Sequence, residues 1–270
     1  MNKITALIKR HPLVTFFFLA YTISYVFYFL PSIWLGFPFL FPFGSALAAL
    51  IVAYITDGIG GLKDVLSRCL HWRVGLPWYT AALLVPIAIA LTVVGLNSLL
   101  GAPLPNAVQL GPWYSIFLLF PMALIDAPLQ EHAGWHGYAM PRFPAGRSPL
   151  ANTLILGGLL AGWHLPLALA EPSITAPYVI ATILSAVVTN WVYYNARQSA
   201  LLTILYHTAA NTMGIYFSPV LSGPDRIRYF WLLAAVNGVA AIGVVVFDRH
   251  TWQTHRPMAP TSAEAVPSIS

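Results

Sequence analysis

The sequence predicts an all-α protein, a polytopic membrane bundle of about eight transmembrane helices. Hydrophobic residues make up 58% of the 270 residues and charged residues only 8%, whereas a soluble domain carries roughly 25% charged residues. Apolar runs of about 17 to 25 residues, the length that crosses a bilayer as a helix, recur along the whole chain. These two observations exclude a soluble globular protein.

Eight apolar runs are the predicted membrane spans. Proline and glycine residues, which are typical of turns between helices, separate them. The runs extend over Leu13–Leu30, Phe39–Ile55, Trp78–Leu100, Tyr114–Leu129, Ala151–Ala170, Tyr178–Tyr194, Leu201–Phe217 and Phe230–Phe247. No polar block between them is long enough to fold separately. We therefore predict one integral membrane domain over residues 1–254, with a motif core at 123–214, and a disordered tail over 255–270.

The positions of the positive charges predict the orientation of the bundle. If the N-terminus is cytoplasmic, 11 of the 13 Lys and Arg residues fall in segments on the cytoplasmic side, and only Arg226 and Arg228 fall outside. Positively charged loops stay in the cytoplasm. We predict an integral protein of the plasma (inner) membrane with both termini cytoplasmic. The pI of 9.4 reflects these dispersed cations, so no nucleic-acid partner is expected.

Polar residues interrupt the apolar runs at three places, which we call the three polar islands. The first is LQEHAGWHGY at residues 129–138, the second is GWHLP at 162–166, and the third is YHTAAN at 206–211. Ionisable groups inside a membrane cost several kcal/mol and usually face a functional cavity. Three islands on three spans therefore predict one buried polar site.

The residue types and spacings in the islands indicate hydrolytic chemistry. Glu131 is a buried carboxylate that could act as a general base near neutral pH. His207 and Asn211 are four residues apart and so share a helical face, from which both can donate to a single oxygen atom, as an oxyanion hole requires. His132 and His136 share a face in the same way. Asp126, in the same span as Glu131, is a candidate hydrogen-bond partner for one of the imidazoles.

In this order, the three islands resemble the motifs of the CPBP intramembrane protease family, also called Abi or CAAX-protease-like. The family motifs are Glu-Glu-x-x-x-Arg followed by Gly-Tyr or Gly-Phe and a Pro-Arg, then Phe-x-x-x-His, then His-x-x-x-Asn. The matching residues here are EHAGWHGYAMPR at 131–142, His164, and His207 with Asn211. The resemblance covers roughly residues 123–214.

The resemblance implies an intramembrane endopeptidase similar to CAAX prenyl proteases, which acts on a membrane-associated peptide or protein. In that family the first Glu and the second-motif His activate a water, and the third-motif His and Asn hold the oxyanion. The implied catalytic residues are therefore Glu131, His164, His207 and Asn211, and no cofactor is implied.

Three positions depart from the family motifs. His132 stands in place of the second Glu, His136 in place of the Arg, and Leu160 in place of the Phe. The second Glu and the Arg would pair as a salt bridge. Because both are replaced, no unpaired buried charge is left behind.

The replacements leave other functions open. His132 and His136 form His-x-x-x-His, the spacing found in zinc hydrolases. Glu131, His164 or His207 would be the further ligand of such a zinc site. In zincins, however, the Glu follows the first His, whereas here it precedes it. Zinc is therefore a possible cofactor. A second alternative is a catalytically impaired pseudoprotease that acts as a membrane binding or scaffold protein. A transporter is less favoured, because the sequence has no repeat symmetry and its polar residues cluster in one half.

Overall fold

The computed structural model describes residues 3–35, 42–144 and 146–253. It is 86% helical, and the residues it describes include no strand. The predicted all-α class is confirmed. The predicted tail at 255–270 lies outside the described residues, as do residues 39–41 of the predicted second span.

Thirteen α-helices follow one another in the described part of the chain, with short 3₁₀ and π-helical segments between some of them. They are α1 Lys3–Arg10, α2 Pro12–Leu35, α3 Phe43–Cys69, α4 Leu76–Leu99, α5 Ala107–Leu110, α6 Ile116–Asp126, α7 Pro128–His132, α8 Pro149–Trp163, α9 Leu165–Leu169, α10 Thr175–Asn195, α11 Ala200–Phe217, α12 Gly223–Phe247 and α13 Arg249–Gln253.

Six stretches of the described chain are long and apolar enough to cross a membrane. They include α2, α3, α4, the stretch Val108–Asp126, α10 and α12. The chain is an integral membrane protein. Helices also occur at the two remaining predicted positions, α8 with α9 and α11, so the count of eight crossings stays a prediction.

Polar contacts between segments that are distant in sequence define the two ends of the bundle. At one end, the guanidinium group of Arg142 lies 3.6 Å from the carboxylates of Asp57 and Asp64. We call this the Arg142 end. At the other end, the Arg228 end, Arg228 Nε donates to Asn97 Oδ1 at 2.7 Å. Segments distant in sequence therefore meet at each end.

The largest fully buried side chains surround the first polar island. Trp135, Trp163, Tyr138 and Tyr193 are each at most 1% exposed. All four belong to one buried core, which also includes residues of α2 and α3. The helix α10 contacts both α8 and α12 and so lies between them. The first island is thus enclosed by packed helices.

Two glycines permit close helix contacts near this core. A Cβ atom built on Gly134 would lie 2.7 Å from the backbone of Ser45 on α3, and one on Gly157 would lie 3.3 Å from the backbone of Ile183 on α10. Small residues at interfaces allow membrane helices to approach closely. Gly134 therefore sets how near the first island lies to α3.

Three tyrosines on α2, Tyr21, Tyr25 and Tyr28, form what we call the tyrosine ladder. Their spacing places them on one face of the helix. Their hydroxyl groups donate, in order, to the carbonyl oxygens of Leu159, Gly162 and Pro166. These carbonyls flank the break between α8 and α9, where His164 lies. The ladder thus supplies donors for backbone acceptors on both sides of the break, which a membrane interior cannot hydrate.

Candidate active site

The first polar island lies on a segment whose helical geometry changes repeatedly. Helix α6 ends at Asp126, and Ala127 leaves the helical region with φ −143° and ψ −49°. Helix α7 begins at Pro128, and a π-helix follows over Ala133–Ala139. π-Helical turns are rare and are frequent at functional sites. They change which side chains share a face, so the first island departs from the regular helix that its sequence predicts.

Two side-chain hydrogen bonds fix the bend before the first island. Gln130 Nε2 donates to the carbonyl oxygen of Ile125 at 2.7 Å, across the interruption at Ala127. Ser45 Oγ in turn donates to the carbonyl oxygen of Gln130 at 3.1 Å. Polar backbone atoms released by a bend inside a membrane require such partners. Because Glu131 directly follows Gln130, these bonds also hold Glu131 in place.

Three imidazole rings form a continuous hydrogen-bonded row, which we call the imidazole chain. His132 Nδ1 lies 2.8 Å from His136 Nδ1, and His132 Nε2 lies 2.9 Å from His207 Nδ1. The rings of His132 and His136 stack at a centroid distance of 4.6 Å. His132 thus joins the first island to the third. Both ring nitrogens of His132 are used, one as donor and one as acceptor if the ring is neutral.

The Glu131 carboxylate faces imidazoles from both other islands. Its Oε2 atom lies 3.9 Å from His164 Nε2 and 3.8 Å from His207 Nδ1. The side chain is 5% exposed. Both distances are longer than a direct hydrogen bond, because a contact of about 3.6 Å no longer counts as one. Glu131 therefore lies between two imidazoles with room for a small molecule next to it.

His164 presents a defined tautomer at the break between α8 and α9. Its Nδ1 atom lies 2.9 Å from the carbonyl oxygen of Leu160. A carbonyl oxygen only accepts hydrogen bonds, so we assign the ring proton to Nδ1. In the neutral ring, Nε2 is then unprotonated and directs its lone pair toward Glu131.

All three polar islands line one cavity of about 470 Å³. The residues singled out from the sequence all line it: Glu131, His132, His136, His164, His207 and Asn211. Leu160, which stands where the family motif has Phe, lines it as well. The predicted single buried site is therefore present in the structure. The sequence does not fix the roles of these residues.

Two residues of α10 belong to the site but were missed in the sequence. Tyr193 donates from its hydroxyl group to the carbonyl oxygen of His136 at 3.4 Å. Asn190 lines the cavity and donates from Nδ2 to the carbonyl oxygen of Ala186 at 2.9 Å. The signal was an asparagine within an apolar span, which is costly unless it has partners.

The predicted partner of an imidazole, Asp126, does not take that role in the structure. The imidazoles bond instead to one another, to the carbonyl oxygen of Leu160, and to the side chains of Asn190 and Asn211. Asp126 is exposed and lines the same cavity. It lies one residue before the interruption at Ala127.

As placed, the histidines do not fit a zinc ion. Two nitrogen ligands bonded at about 2.0–2.1 Å to a tetrahedral zinc lie roughly 3.3 Å apart, whereas the two Nδ1 atoms of His132 and His136 are 2.8 Å apart. Within the described residues, no group of three or more His, Cys, Asp or Glu side chains is arranged to hold a metal ion. The spacing fits a direct hydrogen bond, and zinc binding stays a prediction for direct measurement.

The stretch that contains this site matches a known protein family. Residues 112–213 match the family model described as type II CAAX prenyl endopeptidase Rce1-like. A search among curated proteins finds no match. The matched stretch is less than half of the chain, but it holds all three polar islands, which agrees with the resemblance seen in their motifs. The match supports the similarity of this stretch to the CPBP family, the Abi or CAAX-protease-like membrane endopeptidases.

Proposed function

We propose that this protein is a membrane endopeptidase that hydrolyses a peptide bond by a metal-independent mechanism, with Glu131 as general base. The observation that carries the proposal is the geometry around Glu131. Its carboxylate lies 3.9 Å from a second acceptor, His164 Nε2, in a cavity that also holds His207 and Asn211.

The spacing of Glu131 and His164 suits the activation of a water molecule. Glu131 Oε2 and the unprotonated His164 Nε2 are both acceptors and lie 3.9 Å apart. One water oxygen about 2.8 Å from each would donate one hydrogen to each, with an angle near 90° at the oxygen. Glu131 would accept one proton as the oxygen attacks the carbonyl carbon, while His164 orients the water.

His207 and Asn211 would stabilise the oxyanion that forms during attack. For His207 to donate from Nε2, its Nδ1 must accept a hydrogen bond, because a neutral imidazole carries one proton. His132 Nε2, at 2.9 Å, is the donor in position to supply it. His132 is thus a positioning residue in this mechanism: it sets the tautomer of His207. Preorganised donors of this kind can each contribute several kcal/mol in a site that excludes water.

The protons balance over one turnover. Attack by the water oxygen breaks the carbonyl π bond, places the negative charge on the carbonyl oxygen, and leaves the abstracted proton on Glu131. Collapse of the tetrahedral intermediate breaks the C–N bond, and the departing nitrogen takes the proton from Glu131. The carboxylate is restored, and the products are one carboxylic acid and one amine.

The substrate class follows from the family and the surroundings of the site. The site is enclosed by apolar helices, so a peptide must approach from the bilayer or its surface. We propose a membrane-associated peptide or protein, and prenylated C-terminal tails are the first class to test because the matched family is named for them.

The decisive experiment compares the wild-type protein with Glu131→Gln in liposomes. A library of membrane-anchored peptides, each made with and without a farnesyl group, is offered as substrate, and cleavage fragments are identified by mass spectrometry. We expect Glu131→Gln to reduce the rate about 10²- to 10⁴-fold, the range for loss of a general base. Asp57→Asn, which changes a 54% exposed carboxylate at the Arg142 end, should stay within a few-fold of wild type. Equal rates for Glu131→Gln and wild type would refute the proposal.

A second candidate is a pseudoprotease that binds or scaffolds membrane proteins. It is favoured by the imidazoles at positions 132 and 136, which replace the charged pair of the family motif and instead bond to each other at 2.8 Å. If peptides bind to both wild type and Glu131→Gln but neither cleaves them, this candidate replaces the first.

The proposed location is the plasma (inner) membrane, with both termini and the Arg142 end in the cytoplasm, as the cation distribution favours. Cysteines introduced at Ser148 and at Asn106, which lie in segments on opposite sides of the predicted topology, test this. A membrane-impermeant thiol reagent applied to intact cells should label Asn106→Cys and spare Ser148→Cys. The native Cys69 is buried and should not interfere.

A further inference from the structure

We propose that Asp126 is a specificity-determining residue that binds a basic side chain of the substrate near the scissile bond. This inference rests on the proposed function for the identity of the site, and it adds the substrate chemistry. Asp126 lies in the wall of the same cavity as Glu131, and its side chain is exposed.

The position of Asp126 is unfavourable unless it serves a ligand. It is the one charged residue between Arg73 and Glu131 in the sequence, and it ends a candidate membrane span. It is also the last residue of α6, where the helix dipole disfavours a negative charge. Within the described residues, no hydrogen bond or ion pair compensates its carboxylate. Such intramembrane carboxylates commonly mark substrate or ion sites.

The charge balance of the cavity favours a cationic ligand. Three residues that line it are ordinarily charged: Asp126, Glu131 and Arg226. Arg226 Nε already donates to both carboxylate oxygens of Glu171, at 3.0 Å each. Its charge is therefore neutralised by Glu171 and not by Asp126 or Glu131. Three of the four imidazoles are bonded to one another. A ligand that supplies one positive charge would complement the carboxylate of Asp126.

The separation of Asp126 and Glu131 limits where the basic residue can be. Glu131 N donates to the carbonyl oxygen of Ala127 at 3.0 Å, which makes residues 127–131 one helical turn, and Asp126 is one residue further. The Cα atoms of Asp126 and Glu131 are therefore at most about 10 Å apart. A peptide in extended form advances about 3.3–3.6 Å per residue. A lysine or arginine that reaches Asp126 should therefore lie within about three residues of the bond presented to Glu131.

Binding in the absence of cleavage tests this inference separately from the proposed reaction. Membrane-anchored peptides that carry Lys, Gln or Glu at each of three positions on either side of a fixed bond are titrated against Glu131→Gln and against Glu131→Gln/Asp126→Asn in nanodiscs. We expect Lys peptides to bind the first protein about tenfold more tightly than Gln peptides at one position, and this ratio to fall to near one in the second. Glu131→Gln/Asp126→Lys should instead prefer the Glu peptide at that position.

Two controls separate recognition from general electrostatics and from misfolding. Glu131→Gln/Asp57→Asn removes a carboxylate away from the cavity and should keep the Lys preference. Glu131→Gln/Asp126→Glu restores the charge and should regain it. A Lys preference that survives Asp126→Asn, or no preference in any protein of the series, would overturn the inference. Equal cleavage by wild type and Glu131→Gln would refute the proposed function alone, because the binding ratios do not depend on turnover.

Discussion

His132 Nε2 lies 2.9 Å from His207 Nδ1, and this contact joins two polar islands that are 75 residues apart in the sequence. On its other side, His132 bonds to His136. The two replaced motif positions are thus bonded to each other and connected to the proposed oxyanion donor. Two neutral imidazoles therefore stand where the family motif has a Glu and an Arg. These two positions then carry no buried charge that a partner would have to neutralise.

Restoring the family pair tests this arrangement. His132→Glu alone introduces a carboxylate among buried imidazoles, and His136→Arg alone introduces a buried cation. Each should lower the free energy of unfolding by about 3–5 kcal/mol, the range for an uncompensated buried charge. The double variant supplies both charges at contact distance and should recover most of this loss. Thermal unfolding in detergent measures all three, and additive losses in the double variant would contradict a direct contact.

A metal-independent site predicts little zinc in the purified protein. The 2.8 Å separation of the His132 and His136 Nδ1 atoms leaves no room for an ion bonded to both. Elemental analysis of detergent-purified wild type, beside His132→Ala/His136→Ala, should give well below one zinc per chain for both. Near-stoichiometric zinc in the wild type that disappears in the double variant would move the mechanism to a metal site built on these histidines.

Gly134→Ala should damage the site by displacing its segment. The added Cβ would lie 2.7 Å from the Ser45 backbone, so the π-helix would have to move away from α3. Overpacking of this kind costs about 1–3 kcal/mol, and a shift of 1 Å at the chemistry can cost about 100-fold in rate. Gly158→Ala is the matched control, because nothing lies within 4 Å of its Cβ position. Equal effects of the two substitutions on stability would refute the close contact.

Asp248 should contribute stability that depends on pH. Burial would raise its pKa, but hydrogen bonds from Thr251, Trp191 and Asn195 outweigh this and hold the pKa below its ordinary value. The contribution is therefore present above the unfolded-state pKa of about 3.9 and is lost as the pH falls through the lower pKa of the folded state. Because the carboxylate is partly exposed, we expect about 1 kcal/mol at neutral pH.

The measurement for Asp248 is the thermal midpoint of wild type and Asp248→Asn between pH 7 and pH 3. The difference between the two proteins should be largest at pH 7 and shrink in acid. The thermal midpoint of Asp57→Asn, measured over the same pH range, serves as the control. A difference that stays constant down to pH 3 would show that the charge of Asp248 does not matter.

The sequence allowed the helical class and the composition of the site to be predicted, because intramembrane polar residues are rare enough to identify the site. Glu131, His164 and Asn211 were predicted to share one cavity, and they do. The bond between His132 and His207 could not be predicted, because it depends on how far two helices are rotated toward each other. Helical spacing fixes only which residues share a face of one helix.

Backbone irregularity accounts for what the sequence did not reveal. Regular 3.6-residue periodicity cannot indicate the π-helix after His132, and the close approach of Gly134 to Ser45 depends on a second helix. Asp126 was a candidate hydrogen-bond partner for an imidazole because it lies in the same span as Glu131, but no hydrogen bond of the described residues joins them, and the helix is interrupted at Ala127. A local irregularity of the helix or a contact with a second helix decided each outcome.

The tyrosine ladder limits how far this protein can be truncated from its N-terminal side. The family match begins at residue 112, yet Tyr21, Tyr25 and Tyr28 on the N-terminal helix hold the break that carries His164. A truncated gene encoding only the matched stretch would lack these donors, and exposed carbonyl groups in a bilayer cost several kcal/mol each. We therefore predict that the matched stretch alone does not hold His164 in place, and that the N-terminal helix must accompany it in any chimera or shortened form of the protein.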